Sequence, residues 1–159
     1  MASKTGAVIS AVITLILFVG IPYLLPEYIP PDLMTQIEQS GFNLDSFTSQ
    51  IMIIGVATAV LTLVGGFADP TSIIALLVKM AQAGFSLILI IVFLGAGNIA
   101  SLGYTEFKVA MQGVQSTIVM DLRVFVYISI GTIFLKVLQV YLEWKEARVE
   151  AAPPGRIAP

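Results

Sequence analysis

Four runs of apolar residues, each long enough to cross the hydrocarbon core of a membrane, constrain the fold of this chain most. They cover residues 6–26, 44–66, 71–97 and 122–143. A helix needs about 20 residues to span that core and satisfies its own backbone hydrogen bonds there. Only 11% of the 159 residues are charged, against about a quarter in soluble domains. We therefore predict an all-α integral membrane protein, a four-transmembrane-helix bundle that forms one domain over residues 1–150.

Prolines and polar caps set the limits of these spans. The first run contains Pro22 and Pro26, which cannot continue a helix regularly. We expect a retained helix rather than a signal peptide, because the run is long for an h-region and no small-residue cleavage site follows it before Glu27. Asn43 is a candidate cap for the second span, and Asp69 followed by Pro70 starts the third. The short connection makes spans two and three an antiparallel hairpin.

Two polar segments separate the spans. Residues 27–50 carry four acids and no base, and Pro30 and Pro31 open a short helix within this loop. Residues 98–121 are less apolar, and four of their side chains recur at helical spacing: Phe107, Met111, Val114 and Ile118. This pattern predicts an amphipathic interfacial helix before the last span, or an extension of that span. Asp121 and Arg123, two apart, do not share a helix face and look like interface anchors.

The basic residues predict the orientation. Four bases flank the spans on the side that holds both chain termini: Lys4, Lys145, Arg148 and Arg156. The opposite side has Lys108 and Arg123. The positive-inside rule then places both termini in the cytoplasm and the acidic loop 27–50 on the outer face. The Pro- and Gly-containing tail, residues 151–159, follows the last span on the cytoplasmic side.

Two lysines lie within spans, each with a glutamine three residues later: Lys79 with Gln82, and Lys136 with Gln139. Because spans three and four run in opposite directions, the two pairs lie at matching depth in the cytoplasmic half. Together with Glu143 they form a candidate inner-leaflet polar pocket for an anionic lipid headgroup, a quinone-like head or a partner carboxylate. Snorkelling to the headgroups explains Lys79, but the tilt of helical side chains points Lys136 toward the membrane middle.

Small residues form smooth faces on the first two spans. The candidate helix-packing faces are Gly6, Ser10 and Thr14 on span one, and Gly55, Ala59 and Thr62 on span two. In lipid such faces let helix backbones approach closely. They serve either packing within the bundle or contact with another subunit.

The chain lacks the residues that most catalytic and metal sites need. It has no cysteine and no histidine, which removes thiolate chemistry, the usual zinc sites and the commonest general base. It also lacks a Walker loop, a Gly-x-Ser-x-Gly turn and a His-Glu-x-x-His motif. We expect no enzyme activity and no cofactor or metal bound by its own side chains, although structural lipid is compatible. A net charge of −2 indicates no nucleic-acid partner.

The first functional hypothesis is a non-catalytic structural or accessory subunit of a larger integral-membrane complex, such as a respiratory or other energy-converting assembly. Such a subunit packs its helix faces against partner subunits and holds lipid in the inner-leaflet pocket. The alternative is a homo-oligomeric channel or small transporter, with an anion-favouring pathway along the lysines and glutamines. A third hypothesis is an adhesive or scaffold protein that works through the acidic loop.

Overall fold

The computed structural model describes residues 4–111 and 114–151, without the side chains of 109–111, 114 and 115. Its helices are α1 (Lys4–Tyr28), α2 (Pro31–Gln39), α3 (Leu44–Phe67), α4 (Ile73–Leu94) and α5 (Arg123–Glu150). Four of them, α1, α3, α4 and α5, are long and apolar enough to cross a membrane, which confirms the predicted number of such helices. The short helix expected after Pro30 is present as α2. Residues 152–159 of the predicted tail lie outside the described residues.

The long helices form an open row rather than a closed ring. Helix α1 packs on α3, α3 on α4, and α4 on α5. The two outer helices are accordingly the less buried: 11% of the apolar stretch of α1 or α5 is buried, against 22% for α3 or α4. The layer is therefore one helix thick, and α1 and α5 each have one neighbouring long helix.

The helix ends alternate along this row. A Cβ on Gly66, near the end of α3, would meet Ala7 near the start of α1, and Trp144 near the end of α5 contacts Ser72 just before α4. The first turn of α1, the α3–α4 turn and the last turns of α5 therefore lie at one end of the layer. Helix α2 and residues 98–108 lie at the other end, where the Lys108 N–H donates to the Ser40 carbonyl just after α2. The main apolar cluster of Ile51, Ile54 and Val92, with its aromatic neighbours, lies in the halves of α3 and α4 nearer that end.

Helix α1 continues past the prolines that were predicted to end it. Residues Ile16–Gly20 form a π-helical turn, in which the Ile21 N–H donates to the Ile16 carbonyl five residues back. Pro22 is the second residue of the α-helical segment that follows. The missing Pro22 N–H is tolerated in a first turn, and Pro26 lies inside the same helical segment, which runs on to Tyr28.

The segment before α5 is a β-hairpin, and the prediction of an amphipathic helix there is wrong. Strand β1 (Tyr104–Met111) pairs antiparallel with β2 (Val114–Asp121), and Phe107 lies opposite Ile118. The segment is rich in β-branched residues, which fit an extended backbone better than a helix; they are Thr105, Val109, Val114, Thr117, Ile118 and Val119. Spacings of three and four residues suggested a helix, but these positions lie in two strands.

Candidate functional site at the α4–α5 seam

Helix α5 presents an apolar stripe to α4 and a polar stripe beside it. Val126 and Val140 are buried, with Ile133 half-buried midway between them, so positions seven residues apart form the packed seam. The polar residues each precede by one residue a buried or half-buried residue, namely Ile133, Val137, Val140 or Trp144, which places them on the flank of the seam. All four are exposed: Thr132, Lys136, Gln139 and Glu143.

The carboxylate of Glu143 is engaged on both oxygens. The amide of Gln139 donates to its Oε1 over 2.8 Å, and the Nζ of Lys79 on α4 lies 4.0 Å from its Oε2. The side chains of Lys79 and Glu143 are 52% and 50% exposed. In water such a pair contributes about 0–1 kcal/mol, so its main consequence is that Glu143 has its charge partner on α4.

Lys136 lies beside this pair without joining it. Its Cα is seven residues before Glu143, about 10 Å nearer the middle of the helix, and its side chain is exposed. Within the described part of the chain it has no hydrogen bond and no ion pair. We call the four residues Lys79, Lys136, Gln139 and Glu143 the seam patch.

Gln82, the remaining residue of the predicted pocket, is turned away from the seam patch. Its Nε2 donates to the Oγ1 of Thr62 on α3 over 3.1 Å, and both residues are half-buried. Of the five predicted residues, the structure thus connects Lys79, Gln139 and Glu143 directly, places Lys136 beside them, and uses Gln82 to join α3 to α4.

Trp144 anchors α5 to the turn before α4. Its Nε1 faces two backbone carbonyls, those of Thr71 at 3.2 Å and Ser72 at 3.0 Å, and the guanidinium of Arg148 lies 4.8 Å from its ring centre. The hydrogen bond from Thr71 to the carboxylate of Asp69 tightens this turn and lowers the Asp69 pKa. The amino-acid sequence gives no local signal of this contact, because the helix and the turn are about 70 residues apart in the chain.

The small-residue face of α3 packs against α1. A Cβ added to Gly55 would lie 2.5 Å from the Cβ of Phe18, and both Gly55 and Ala59 are buried. Thr62 instead contacts α4 through Gln82.

On α1 the packed stripe is shifted by one residue from the predicted one. Ala7 and Ala11 are buried, whereas Gly6 and Ser10 are exposed and Thr14 is half-buried. The methyl of Ala7 packs over Gly66 of α3, where an added Cβ would lie 2.0 Å from it.

A second charged site closes the base of the β-hairpin. The Arg123 guanidinium binds the Asp121 carboxylate with two hydrogen bonds, Nε to Oδ1 at 2.9 Å and Nη2 to Oδ2 at 2.5 Å. These hydrogen bonds lower the Asp121 pKa to about 2. The guanidinium also lies 5.2 Å from the ring centre of Tyr104. The sequence did not predict this pairing, because Asp121 and Arg123 were both expected to lie in helices.

The described residues contain no group of three His, Cys, Asp or Glu side chains that could hold a metal ion. The chain matches no known protein-family model, and neither the curated proteins nor the solved structures contain a significant match to it.

Proposed function

We propose that this protein is a non-catalytic subunit of a larger integral-membrane complex, with both termini cytoplasmic and the loop 27–50 on the outer face. Its helical layer would pack against partner subunits and hold lipid at the seam patch in the inner leaflet. The observation that carries the proposal is Lys136, a charged residue on the exposed face of an apolar helix without a partner in the described chain.

An isolated lysine is costly at this depth. Lys136 lies eight residues before Trp144, so about 12 Å of helix separates it from the level at which a tryptophan marks the interface. Insertion of a lysine at the centre of a span costs about 2.5–3.5 kcal/mol. Glu143 forms no ion pair with Lys136, since it lies about 10 Å farther along the helix and its two oxygens contact Gln139 and Lys79 instead. A carboxylate on a partner helix, or an anionic headgroup bound at the seam patch, would offset the cost of inserting Lys136.

The shape of the layer supports the same proposal. Helix α5 packs on α4 along one stripe, and much of its remaining surface is exposed. Gly131 lies on that surface, where an added Cβ would meet nothing within 4 Å. A partner helix could approach the backbone of α5 closely at Gly131 and place a carboxylate beside Lys136.

The test is the composition of the particle in mild detergent. We expect the tagged full chain, purified from its native membrane, to carry other chains in fixed ratio, as intact-particle mass spectrometry would show. Lys136→Leu should lower the yield of those chains and of bound anionic lipid at least tenfold. Lys145→Leu, on the same helix beyond Trp144, is the matched control and should leave both unchanged. A stable particle that contains copies of this chain alone would contradict the proposal.

A second candidate is a homo-oligomeric channel or small transporter for anions. Its support is the exposed polar stripe Thr132, Lys136 and Gln139, which could line a shared interior if several α5 helices met around an axis. Against it, Gln82 is engaged with α3 and residues 85–94 of α4 are nearly all apolar. Anion flux into vesicles that contain the purified chain alone, abolished by Lys136→Leu and Lys79→Leu, would favour this candidate over the first.

A further inference from the structure

The β-hairpin separates its side chains onto two faces. Residues opposite each other in antiparallel strands point to the same side, so Phe107 shares a face with Ile118, and Thr105 with Met120. The other face carries most of the polar groups whose side chains are described; these are Tyr104, Glu106, Lys108, Thr117 and Asp121, with Val119 as the apolar exception. The hairpin is amphipathic, with a period of two residues.

The hairpin lies across the end of the helical layer. At its base, the Leu122 N–H donates to the carbonyl of Gly103 over 2.8 Å, directly before α5. Farther along β1, the Lys108 N–H donates to the carbonyl of Ser40, in the α2–α3 connection, over 3.2 Å. Four residues of strand advance about 13 Å, a length comparable with the spacing of about 8–10 Å between neighbouring helix axes. Strand β1 therefore leads from α5 back toward α3 instead of projecting away from the layer.

The apolar face is covered under β1 and uncovered under β2. Thr105 and Phe107 are half-buried, whereas Ile118 is 50% and Met120 43% exposed. Beyond Met120 the chain enters α5, whose first turn exposes Val124 and Phe125. Along the chain, the exposed apolar residues of β2 are thus closely followed by those of a helix apolar enough to cross a membrane. We call the Ile118 and Met120 side chains the β2 underside.

We propose that the β2 underside binds the lipid surface, lying in the interfacial region of the leaflet at the hairpin end of the helices. This inference rests on the proposed membrane location. An apolar face directed at the headgroup and upper acyl region removes Ile118 and Met120 from water, while Lys108 and Thr117 stay in solvent. Arg123, at the base of the hairpin, is a residue type that anchors proteins at membrane interfaces.

The absence of cysteine from the chain allows a direct test. Single variants Ile118→Cys and Met120→Cys place a thiol on the β2 underside, and Thr117→Cys places one on the opposite face of the same strand. Each is labelled with bimane and reconstituted into phosphatidylcholine vesicles that contain lipid with a nitroxide near the headgroup. We expect several-fold stronger quenching by the lipid nitroxide at 118 and 120 than at 117, and several-fold stronger quenching by aqueous iodide at 117.

Each alternative occupant gives a different result. If iodide reaches 118 as readily as 117, the β2 underside faces water and the inference is overturned. If neither quencher reaches 118, protein covers the face, either a second copy or another chain, and the inference is equally overturned. A label at Ile128→Cys, on the exposed apolar surface of α5, distinguishes either of these outcomes from the case in which the chain does not insert into the membrane at all. It should be quenched by lipid nitroxide whether or not the hairpin binds lipid.

Discussion

The ion pair of Asp121 and Arg123 forms because the backbone changes from strand to helix between the two residues. In a continuous helix, side chains two apart point in different directions. Here Asp121 ends β2 and Arg123 begins α5, so the guanidinium turns back onto the carboxylate. The residue types were evident from the sequence, but the pairing required a strand that the helical interpretation of residues 98–121 excluded.

This pair predicts an acid-sensitive hairpin base. The hydrogen bonds that Arg123 donates to Asp121 lower the pKa of Asp121 from 3.8 to about 2, so folding favours the ionised carboxylate. The resulting stabilisation is complete above about pH 4 and is lost as the pH falls toward about 2. We expect amide exchange in residues 104–123 to accelerate over that range. Asp121→Asn should show the faster exchange already at neutral pH, by hydrogen–deuterium exchange mass spectrometry.

The matched control for that measurement is Asp32→Asn. Asp32 lies exposed in the first turn of α2, and its loss should leave exchange in the hairpin unchanged at every pH. If the wild-type hairpin exchanges equally fast at pH 2 and pH 5, after correction for the intrinsic chemical rate, then the pair does not hold the base.

Among the elements, hydrophobicity predicted the helices well and the connection before α5 poorly. Long apolar runs leave a chain in lipid few structures besides helices, because each backbone group must be satisfied within its own segment. No such constraint acts on residues 98–121, where the spacing of Phe107, Met111 and Ile118 fits both a helix and, in part, a strand pair. The β-branched content of this segment was the signal that would have decided for strands.

The α1–α3 contact predicts a steep cost for one methyl group. A Cβ on Gly66 would lie 2.0 Å from the Cβ of Ala7, so Gly66→Ala forces the two helices apart. We expect a loss of about 1–3 kcal/mol in unfolding free energy, typical of overpacking. The measurement is circular dichroism during titration with sodium dodecyl sulfate.

Two further variants test the cause of that loss. Gly84→Ala, where an added Cβ meets nothing within 4 Å, should raise the stability of α4 by about 0.5–1 kcal/mol. Ala7→Gly combined with Gly66→Ala moves the methyl from one helix to the other and should restore most of the lost stability. If the double variant is no more stable than Gly66→Ala alone, the close approach of α1 and α3 is not the cause.

At the scale of the whole molecule, the number of long helices followed from the sequence, but their order in an open row did not. Spans two and three were expected to pair as a hairpin, but whether α5 packs on α4 or returns to α1 depends on which helix faces are smooth enough to meet. Glycines and alanines join α1 to α3, and an apolar seam joins α4 to α5. The polar residues of α5 flank that seam, and Lys136 is therefore left exposed.

Because α5 packs on one long helix, α4, the contact of Trp144 with the turn before α4 is important for holding α5 in the row. Trp144→Phe removes the N–H that faces the carbonyls of Thr71 and Ser72, and we expect a loss of about 1 kcal/mol in unfolding free energy. Tyr141→Phe, which removes an exposed hydroxyl from the same helix, should change it little. Circular dichroism is the measurement, because Trp144 is the only tryptophan and its fluorescence disappears with the variant. Equal stability of both variants would show that the anchor is not needed.

The open row has a consequence for how the chain reaches its structure. Each long helix packs on the long helices next to it in the chain: α1 on α3, α3 on α4, and α4 on α5. Contacts between segments close in sequence have short loops to close and form early, and domains generally fold from the N-terminus during synthesis. The row can thus be assembled in the order of translation, each new helix docking on one already in place, so that α1, α3 and α4 need not wait for α5.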